Sequence, residues 1–331
     1  MTKSKKYPAR PIEVVLFIAG YDTGGQGYRI KRAFDKYYSE EFHVRSVHTQ
    51  STYSHFPHDL EYRARDIVDL MAKADVLHMR NGFEDLGRLR PGALEPSSPT
   101  GLVLHYHGTK FRANHATMAP AAAGLGAVQI ASTIDLTMLE PGILWCPAPF
   151  DIVEIGAYRL VAEARGGQPI RAAHAPTDRY VKSTKKIMDA VSHLFHERHL
   201  SIELDLIERK SWDEVLRRKA ASDIYIDQLR LGYGNNAVEA WCMGLPVVAG
   251  LDDPAVRSQM LKTFKTGSLP FYEANEVNLA ARLAALVTDA DLRLYWGQAG
   301  LAHVMKFHYD RYVADLLAGV YREALDRKRS A

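Results

Sequence analysis

The segment from Asp223 to Gly250, DIYIDQLRLGYGNNAVEAWCMGLPVVAG, contains the most informative pattern in the chain. An apolar strand leads into a glycine-containing loop, the loop leads into a helix that carries Glu239, and a Gly-Leu-Pro turn leads into another apolar strand. This order is typical of parallel sheets. Free amides at the start of such a helix favour an anionic group such as a diphosphate. A carboxylate one turn later can accept hydrogen bonds from two sugar hydroxyls, so the segment favours a nucleotide ligand.

The same alternation of strands and helices extends along the chain on both sides. Strands are predicted at residues 13–19, 43–48, 75–79, 102–107 and 128–131, which form one open sheet, and at 170–174, 201–207, 223–227 and 246–250. Helices are predicted at residues 28–38, 183–197, 211–220 and 236–243, and residues 276–325 are helical by periodicity. These two sets predict an α/β protein of two doubly wound, Rossmann-like domains, residues 1–150 and 151–308, that face a ligand-binding cleft.

Composition excludes several other classes of protein. A chain of 331 residues with 47% hydrophobic and 24% charged residues is typical of a folded protein of about two domains. The net charge of +3 is too small for an obligate nucleic-acid coat, although a local basic patch stays possible. Cys146 and Cys242 stand alone, which argues against a disulfide framework or a zinc site. The apolar run Val14–Gly20 is too short to span a membrane, so a cytoplasmic protein is expected.

The segment from Asp223 to Gly250 resembles the donor-binding region of family 4 GT-B glycosyltransferases, whose usual form is E-G-F-G, four residues, then E-A-M-A-x-G-x-P-V-I. The matching residues are Gly232, Tyr233, Gly234, Glu239, Ala240, Met243, Gly244, Pro246 and Val247. The resemblance implies transfer of a sugar from a nucleotide diphosphate sugar to an acceptor hydroxyl with retention of configuration, and no metal or other cofactor. It also implies that Glu239 holds the ribose, that amides from Tyr233 through Asn235 and Asn236 complete the pocket, and that a last helix, residues 309–331, packs back on the first domain.

One position departs from the family form. The family has two glutamates eight positions apart, the first of which lies near the hydroxyls of the transferred sugar, and Leu231 occupies that first position here. Asp227 and Gln228, at the end of the preceding strand, are candidates to accept hydrogen bonds from the sugar hydroxyls in place of the missing glutamate. The alternative is a relative that binds a nucleotide sugar without transferring it.

The start of the second domain carries candidate cations. The segment RAAHAPTDRYVKSTK, residues 171–185, resembles the family motif in which a basic pair contacts the donor diphosphate. Lys182 matches the lysine of that motif, Arg179 is the nearest candidate for the second cation, and Ser183 replaces the common glycine. A cation there would stabilise the negative charge that develops on the leaving diphosphate.

The first domain offers a glycine loop after its first strand. Gly24, Gly25 and Gly27 would let backbone amides approach a donor phosphate or an acceptor without side-chain clashes. Their spacing matches neither the dinucleotide fingerprint nor the Walker motif. A nicotinamide enzyme and a nucleoside triphosphatase are therefore disfavoured.

Other candidates follow later strands of the first domain. In HYHGTK, residues 105–110, strand alternation places His105 and His107 on the same side, and His107 is nearer the carboxyl end. The resemblance implies that His107 hydrogen-bonds the transferred sugar. Candidates for acceptor contacts are Arg80, Asn81, Lys110 and Arg112.

Two further alternatives concern metal and acceptor. Asp289 and Asp291 form an Asp-x-Asp sequence, but they lie between two helical patterns, where aspartate is a common helix cap, so no metal site is predicted. The acceptor stays open among a saccharide, a lipid-linked glycan, a small molecule, a protein and a hydroxylated base in DNA. DNA is the runner-up because basic residues are expected at the rim of the first domain's cleft: Arg10, Arg29, Lys31, Arg32, Lys110 and Arg112.

Overall fold

The structure, a computed structural model, describes residues 10–50, 56, 64–80, 82, 98–161 and 169–329. It divides into two compact units. The first contains the described residues up to Pro149 together with the chain from Asp310 onward, and the second contains Phe150–Tyr309. Asn81, one of the predicted acceptor-side residues, lies outside the described residues.

The first unit is built on a parallel sheet of six strands. In chain order these are β1 (Ile12–Ile18), β2 (Phe42–His48), β3 (Val76–Arg80), β4 (Gly101–Tyr106), β5 (Val128–Ala131) and β6 (Leu144–Trp145). Their order in the sheet is β2-β1-β3-β4-β5-β6. The strands are apolar and nearly continuously buried because helices cover both faces of a parallel sheet.

Five described helices belong to this unit: α1 (Gln26–Tyr37), α2 (Ala64–Lys73), α3 (Gly108–Gly124), α4 (Ile134–Thr137) and α12 (Asp310–Arg329). The last of these packs with α1 on one face of the sheet, where Phe34, Phe42 and Tyr321 form one aromatic cluster. Helix α12 is anchored to α1 at its start, since Lys36 and Tyr37 both donate hydrogen bonds to the Asp310 carboxylate. The end of the chain therefore completes the core of the first unit.

The second unit repeats the plan with a parallel sheet of five strands. These are β7 (Ile170–His174), β8 (Ile202–Leu206), β9 (Ile224–Ile226), β10 (Val247–Ala249) and β11 (Tyr272–Glu273), in the order β11-β10-β9-β7-β8. Its helices are α5 (Ile152–Val161), α6 (Thr184–Arg198), α7 (Trp212–Ala220), α8 (Asn235–Cys242), α9 (Pro254–Phe264), α10 (Leu279–Thr288) and α11 (Ala290–His303), followed by a π-helical turn (Val304–His308). Among the described residues, no helix is both long and apolar enough to span a bilayer.

The structure corrects the predicted number of strands. In the part of the chain that the structure describes, the sheets contain six and five strands rather than five and four, because β6 and β11 were not predicted. Each is two residues long, which is too short to show the alternation or apolar run by which strands are recognised. The helix-cap interpretation of Asp289 is confirmed, since its carboxylate accepts a hydrogen bond from the Leu292 amide at the start of α11.

The strand orders locate where each sheet can bind a ligand. In the first sheet β1 has β2 on one side and β3 on the other, and in the second β7 has β8 and β9. The winding direction reverses at these strands, and the reversal opens a crevice at the carboxyl ends of the strands beside it. The fold therefore directs attention to the residues that follow β1 and β3 in the first unit and β7 and β9 in the second.

Candidate functional site

A buried ion pair lies at the carboxyl end of β9. Asp227 follows this strand directly, and Lys182 Nζ donates a hydrogen bond of 2.5 Å to its Oδ1. The second oxygen, Oδ2, accepts a hydrogen bond of 2.7 Å from the Gly234 amide, the residue before α8. The side chains of Asp227 and Lys182 are 1% and 12% exposed. A cation and the start of a helix, two groups that attract anions, thus meet at one point.

The turn that carries Lys182 is fixed by hydrogen bonds to the side chain and the carbonyl of Asp178. The Asp178 carboxylate accepts hydrogen bonds from the amides of Tyr180 and Val181, and the Lys182 amide donates to the Asp178 carbonyl. Ser183, the residue before α6, has φ of 55°. This left-handed conformation favours glycine, which the family motif described above has at this position.

Glu239 lies in the interior beneath the start of α8. It is 3% exposed, its Oε2 accepts a hydrogen bond of 2.5 Å from Lys219 Nζ, and its Oε1 accepts one of 2.9 Å from Trp212 Nε1. Lys219 also donates to the carbonyl and side-chain oxygens of Asn236. The side-chain amide of Asn236, Nδ2, in turn donates to the carbonyl of Ala175, which follows β7. Glu239 therefore belongs to a network that joins α7, α8 and the loop after β7. Its contact with a ribose stays a prediction.

The remaining residues after β9 build the loop that leads to α8. Gly232 has φ of 77°, a conformation that favours glycine, and its amide donates to the Gly250 carbonyl. The Gln228 side chain is buried, and the Gln228 carbonyl accepts from the Gly250 amide. Leu231 is 54% exposed at the position where the family has its first glutamate. Each oxygen of Asp227 accepts one hydrogen bond from the chain itself, and the contact of Asp227 with sugar hydroxyls stays a prediction.

Tyr233 points into the second unit. Its hydroxyl lies 3.0 Å from His303 Nε2 and 3.1 Å from His308 Nε2, and its ring packs on Trp241. Burial raises the pKa of Tyr233, and burial together with the nearby His308 holds the pKa of His303 well below its ordinary value. The neutral forms persist at physiological pH, so Tyr233 anchors the glycine loop to the segment after α11.

Sequence reasoning missed His174 and Lys219 as parts of this site. His174 ends β7, with Nδ1 2.8 Å from the Ile226 carbonyl oxygen and Nε2 2.9 Å from Thr184 Oγ1. Burial lowers its pKa to about 4. Its place at the end of a strand within residues 171–185 was a signal for His174. No local signal marks Lys219, because its partners are 17 and 20 positions away in the chain.

Arg179, the second candidate cation, has a different partner. Its guanidinium donates hydrogen bonds of 2.7 and 2.6 Å to the two oxygens of Glu208, and its side chain is 60% exposed. The structure thus places Arg179 in a bidentate ion pair after β8. The contact of Arg179 with a diphosphate stays a prediction.

In the first unit, several amides of the glycine loop already donate to acceptors within the chain, and the contact of this loop with a phosphate or an acceptor stays a prediction. The amides of Gly27 and Tyr28 donate to the Asp22 carboxylate, each at 3.1 Å, and the Gly25 amide donates to the Asp22 carbonyl. Gly27 is needed for packing, since a Cβ there would lie 2.5 Å from Ser46 Oγ. Gly24 has φ of 70° and belongs to the same turn.

His107 lies at the end of a cluster of histidines in the first unit. It follows β4 and its ring centroid is 4.3 Å from that of His105. His105 Nδ1 lies 3.1 Å from His78 Nε2, and His78 Nδ1 lies 3.0 Å from the Tyr321 hydroxyl on α12. Burial is the largest cause that lowers the pKa of all three histidines, to about 3 for His78. A neutral His107 is therefore held beside a stack of neutral rings.

Two of the acceptor-side candidates in the first unit, Arg80 and Arg112, have intramolecular partners. Arg80 ends β3 and donates to the Tyr21 carbonyl, and burial lowers its pKa. Arg112 Nε donates to Asp135 at 2.7 Å, whereas Lys110 is exposed on α3.

The predicted basic rim is wrong for Arg10. Its guanidinium pairs with Asp75, which precedes β3, so it lies at the amino ends of the strands. Arg29 is buried and donates to the Gly24 carbonyl, Lys31 pairs with Asp35, and Arg32 donates to the Tyr28 hydroxyl.

In the described part of the chain, no group of three histidine, cysteine, aspartate or glutamate residues is placed to hold a metal ion.

Comparison with known proteins identifies the fold. Neither a protein-family model nor a curated protein matches the chain. An α-glucosyltransferase solved with UDP and a 13-mer DNA containing an A:G mismatch is similar over 94% of this chain and 100% of its own, with 11% identity and a TM-score of 0.66. HepE from Anabaena, solved with UDP-glucose, is similar over 93% of this chain and 98% of its own, with 14% identity and a TM-score of 0.64.

A glycosyltransferase from Rickettsia africae is similar over 95% of this chain and 99% of its own, with 12% identity and a TM-score of 0.63. At such low identity these likenesses establish the fold alone. The chain therefore has the GT-B fold, with two Rossmann-like domains, and the fold class predicted from the sequence is confirmed.

Proposed function

We propose that this protein is a glycosyltransferase that moves a sugar from a nucleotide diphosphate sugar to an acceptor hydroxyl. The observation that carries the proposal is the meeting of Lys182 with the start of α8 at the carboxyl end of β9. UDP is the nucleotide to test first, because two of the similar glycosyltransferases were solved with UDP or UDP-glucose.

The reaction breaks the bond between the anomeric carbon and the diphosphate, and negative charge develops on the departing oxygen. Lys182 and the amides at the start of α8, around Asn235, are the groups that stabilise this charge. The departing diphosphate oxygen takes the proton of the acceptor hydroxyl as the new glycosidic bond forms on the same face of the sugar. Retention, independence of metal and relation to family 4 are parts of this proposal that come from the sequence resemblance.

Within the second unit, the Lys219 network positions the donor site rather than touching the reacting atoms. It joins Glu239, Asn236 and the loop after β7, so it fixes the start of α8 relative to β7. For the first unit, we keep His107 as the predicted hydrogen-bond partner of the transferred sugar, because its neutral ring can both donate and accept.

Two observations support alternatives. The α-glucosyltransferase solved with DNA favours a hydroxylated base in DNA as the acceptor. The exposed, apolar Leu231 favours a non-catalytic nucleotide-sugar binder. Mass spectrometry of hydroxymethylated duplex DNA and of saccharides after incubation with UDP-glucose distinguishes these: a mass gain of one hexose identifies the acceptor, and binding without any product identifies the binder.

The proposal is tested by titrating the purified protein with UDP, GDP, ADP and CDP in a calorimeter. We expect saturable binding of at least one nucleotide and a loss of about tenfold or more in affinity for Lys182→Met. Lys186→Met is the matched control, because Lys186 lies on α6 four residues further on and pairs with Glu276 at the surface. Equal affinities in the two variants would contradict the proposed site.

A further inference from the structure

Both anion-attracting groups at the carboxyl end of β9 are engaged by a single carboxylate. Lys182 Nζ donates to one oxygen of Asp227 and the Gly234 amide donates to the other. Among the described residues, Asp227 is the one hydrogen-bond acceptor of the Lys182 ammonium. One donor of the Lys182 ammonium and one amide at the helix start thus have an acceptor within the chain.

Asp227 cannot easily move away when a diphosphate binds. Its side chain is 1% exposed, and its amide donates to the Val248 carbonyl of the neighbouring strand. A buried charge that leaves its partner is strongly disfavoured, so the carboxylate stays beside Lys182. The ammonium has three N–H donors, one of which is used by Asp227, so it can contact a phosphate without breaking the ion pair.

The two ion pairs formed by Lys182 and Arg179 leave no net positive charge among their side chains to attract an anion. Lys182 is balanced by Asp227, and Arg179 is balanced by Glu208. These four side chains sum to zero charge, whereas a nucleoside diphosphate brings at least two negative charges. Of the two carboxylates, Asp227 is the buried one, and the repulsion between buried charges is the less screened by solvent.

We propose that Asp227 is an affinity-determining residue that holds Lys182 and the Gly234 amide in place and weakens the binding of the nucleoside diphosphate. The inference rests on the proposed function and goes beyond it, because it assigns Asp227 an effect opposite to that of a donor-binding residue. A carboxylate that repels the diphosphate favours release of the nucleotide after transfer. Asp227 thus keeps Lys182 and the Gly234 amide in position and also prevents the nucleotide product from binding too tightly.

The test compares the dissociation constant of UDP in Asp227→Asn and in wild type, measured by calorimetry at two salt concentrations. Removal of one nearby negative charge is expected to tighten UDP binding by about tenfold and to make the affinity more sensitive to salt. Asp252→Asn is the matched control, since Asp252 follows β10 at the same edge of the sheet and pairs with Arg230 at the surface. Its affinity for UDP should stay within about twofold of wild type.

A second comparison keeps the inference testable if the asparagine variant folds poorly. Lys182→Met alone leaves the Asp227 charge buried, whereas Lys182→Met/Asp227→Asn removes both charges. Repulsion predicts that the double variant binds UDP more tightly than Lys182→Met, and equal or weaker binding overturns the inference.

The outcomes for the single variant separate this inference from the proposed function. Binding of UDP by wild type that Asp227→Asn does not tighten overturns the inference alone. Absence of UDP binding in both proteins overturns the inference together with the proposed use of UDP.

Discussion

The ion pair between Lys219 and Glu239 gives the sharpest prediction of stability. Lys219 is fully buried, and its ammonium donates to Glu239 Oε2 and to two oxygens of Asn236. Replacing it by methionine keeps most of the apolar stem but leaves the Glu239 carboxylate without its cation. Removing one partner of a buried pair costs about 3–5 kcal/mol. For a unit of this size the corresponding decrease in melting temperature is about 6–20 °C.

Thermal unfolding followed by circular dichroism and by calorimetry measures this decrease for the second unit. Lys185→Met is the control, because Lys185 pairs with Asp189 on the exposed face of α6, and it should change the free energy of unfolding by less than about 0.5 kcal/mol. Lys219→Met/Glu239→Leu removes both charges and should recover much of the loss. A Lys219→Met variant as stable as wild type would refute the reasoning that this network holds the start of α8.

Two further predictions concern pH and the donor loop. Burial holds the pKa of His78 at about 3 and that of His174 at about 4, below the ordinary value of 6.5, so the unfolded chain binds protons that the folded chain does not. Stability is full above pH 6.5 and should fall by about 2 kcal/mol per such histidine between pH 7 and 5 in urea unfolding. His78→Gln should weaken this dependence of stability on pH. His43 is exposed, so His43→Gln is the control, and an equal weakening in both variants would count against burial as the cause. Gly232→Ala should lower the free energy of unfolding by about 1–2 kcal/mol, because Gly232 has a φ of 77° that alanine adopts only with strain. The control is Gly267→Ala, because Gly267 has an ordinary φ and open space around it. Equal effects of the two substitutions would contradict strain as the cause.

The sequence predicted the fold because its strongest signals are local. The apolar runs at β1, β7, β9 and β10 and the helical periods at α1, α6, α7 and α8 were recognised within one or two residues of their bounds. Helices α2, α3, α4, α5 and α9 were not predicted from the sequence. Parallel strands that are buried on both faces require such runs, so pattern and structure agree. The short strands β6 and β11 carry no pattern of their own and form only because a neighbouring strand offers an edge.

The candidate site was predictable in position but not in its pairings. Lys182 and Asp227 were both singled out from the sequence, yet they are 45 positions apart and only the fold shows that they form an ion pair. The Asp22 carboxylate, which accepts hydrogen bonds from the glycine-loop amides, was likewise missed. The sequence of a glycine loop does not show whether its amides donate to a ligand or to another part of the chain. Partners distant in sequence are set by packing, which local patterns do not encode.

We propose that the protein transfers sugar with the help of Lys182 at the carboxyl end of β9. Release of UDP from UDP-glucose in the presence of a mixture of acceptors tests it most directly, with wild type, Lys182→Met and Lys186→Met assayed side by side. We expect acceptor-dependent release by wild type and by Lys186→Met, and a loss of about a hundredfold or more in Lys182→Met. Unchanged release by Lys182→Met, or no release by wild type with any nucleotide sugar, would contradict it.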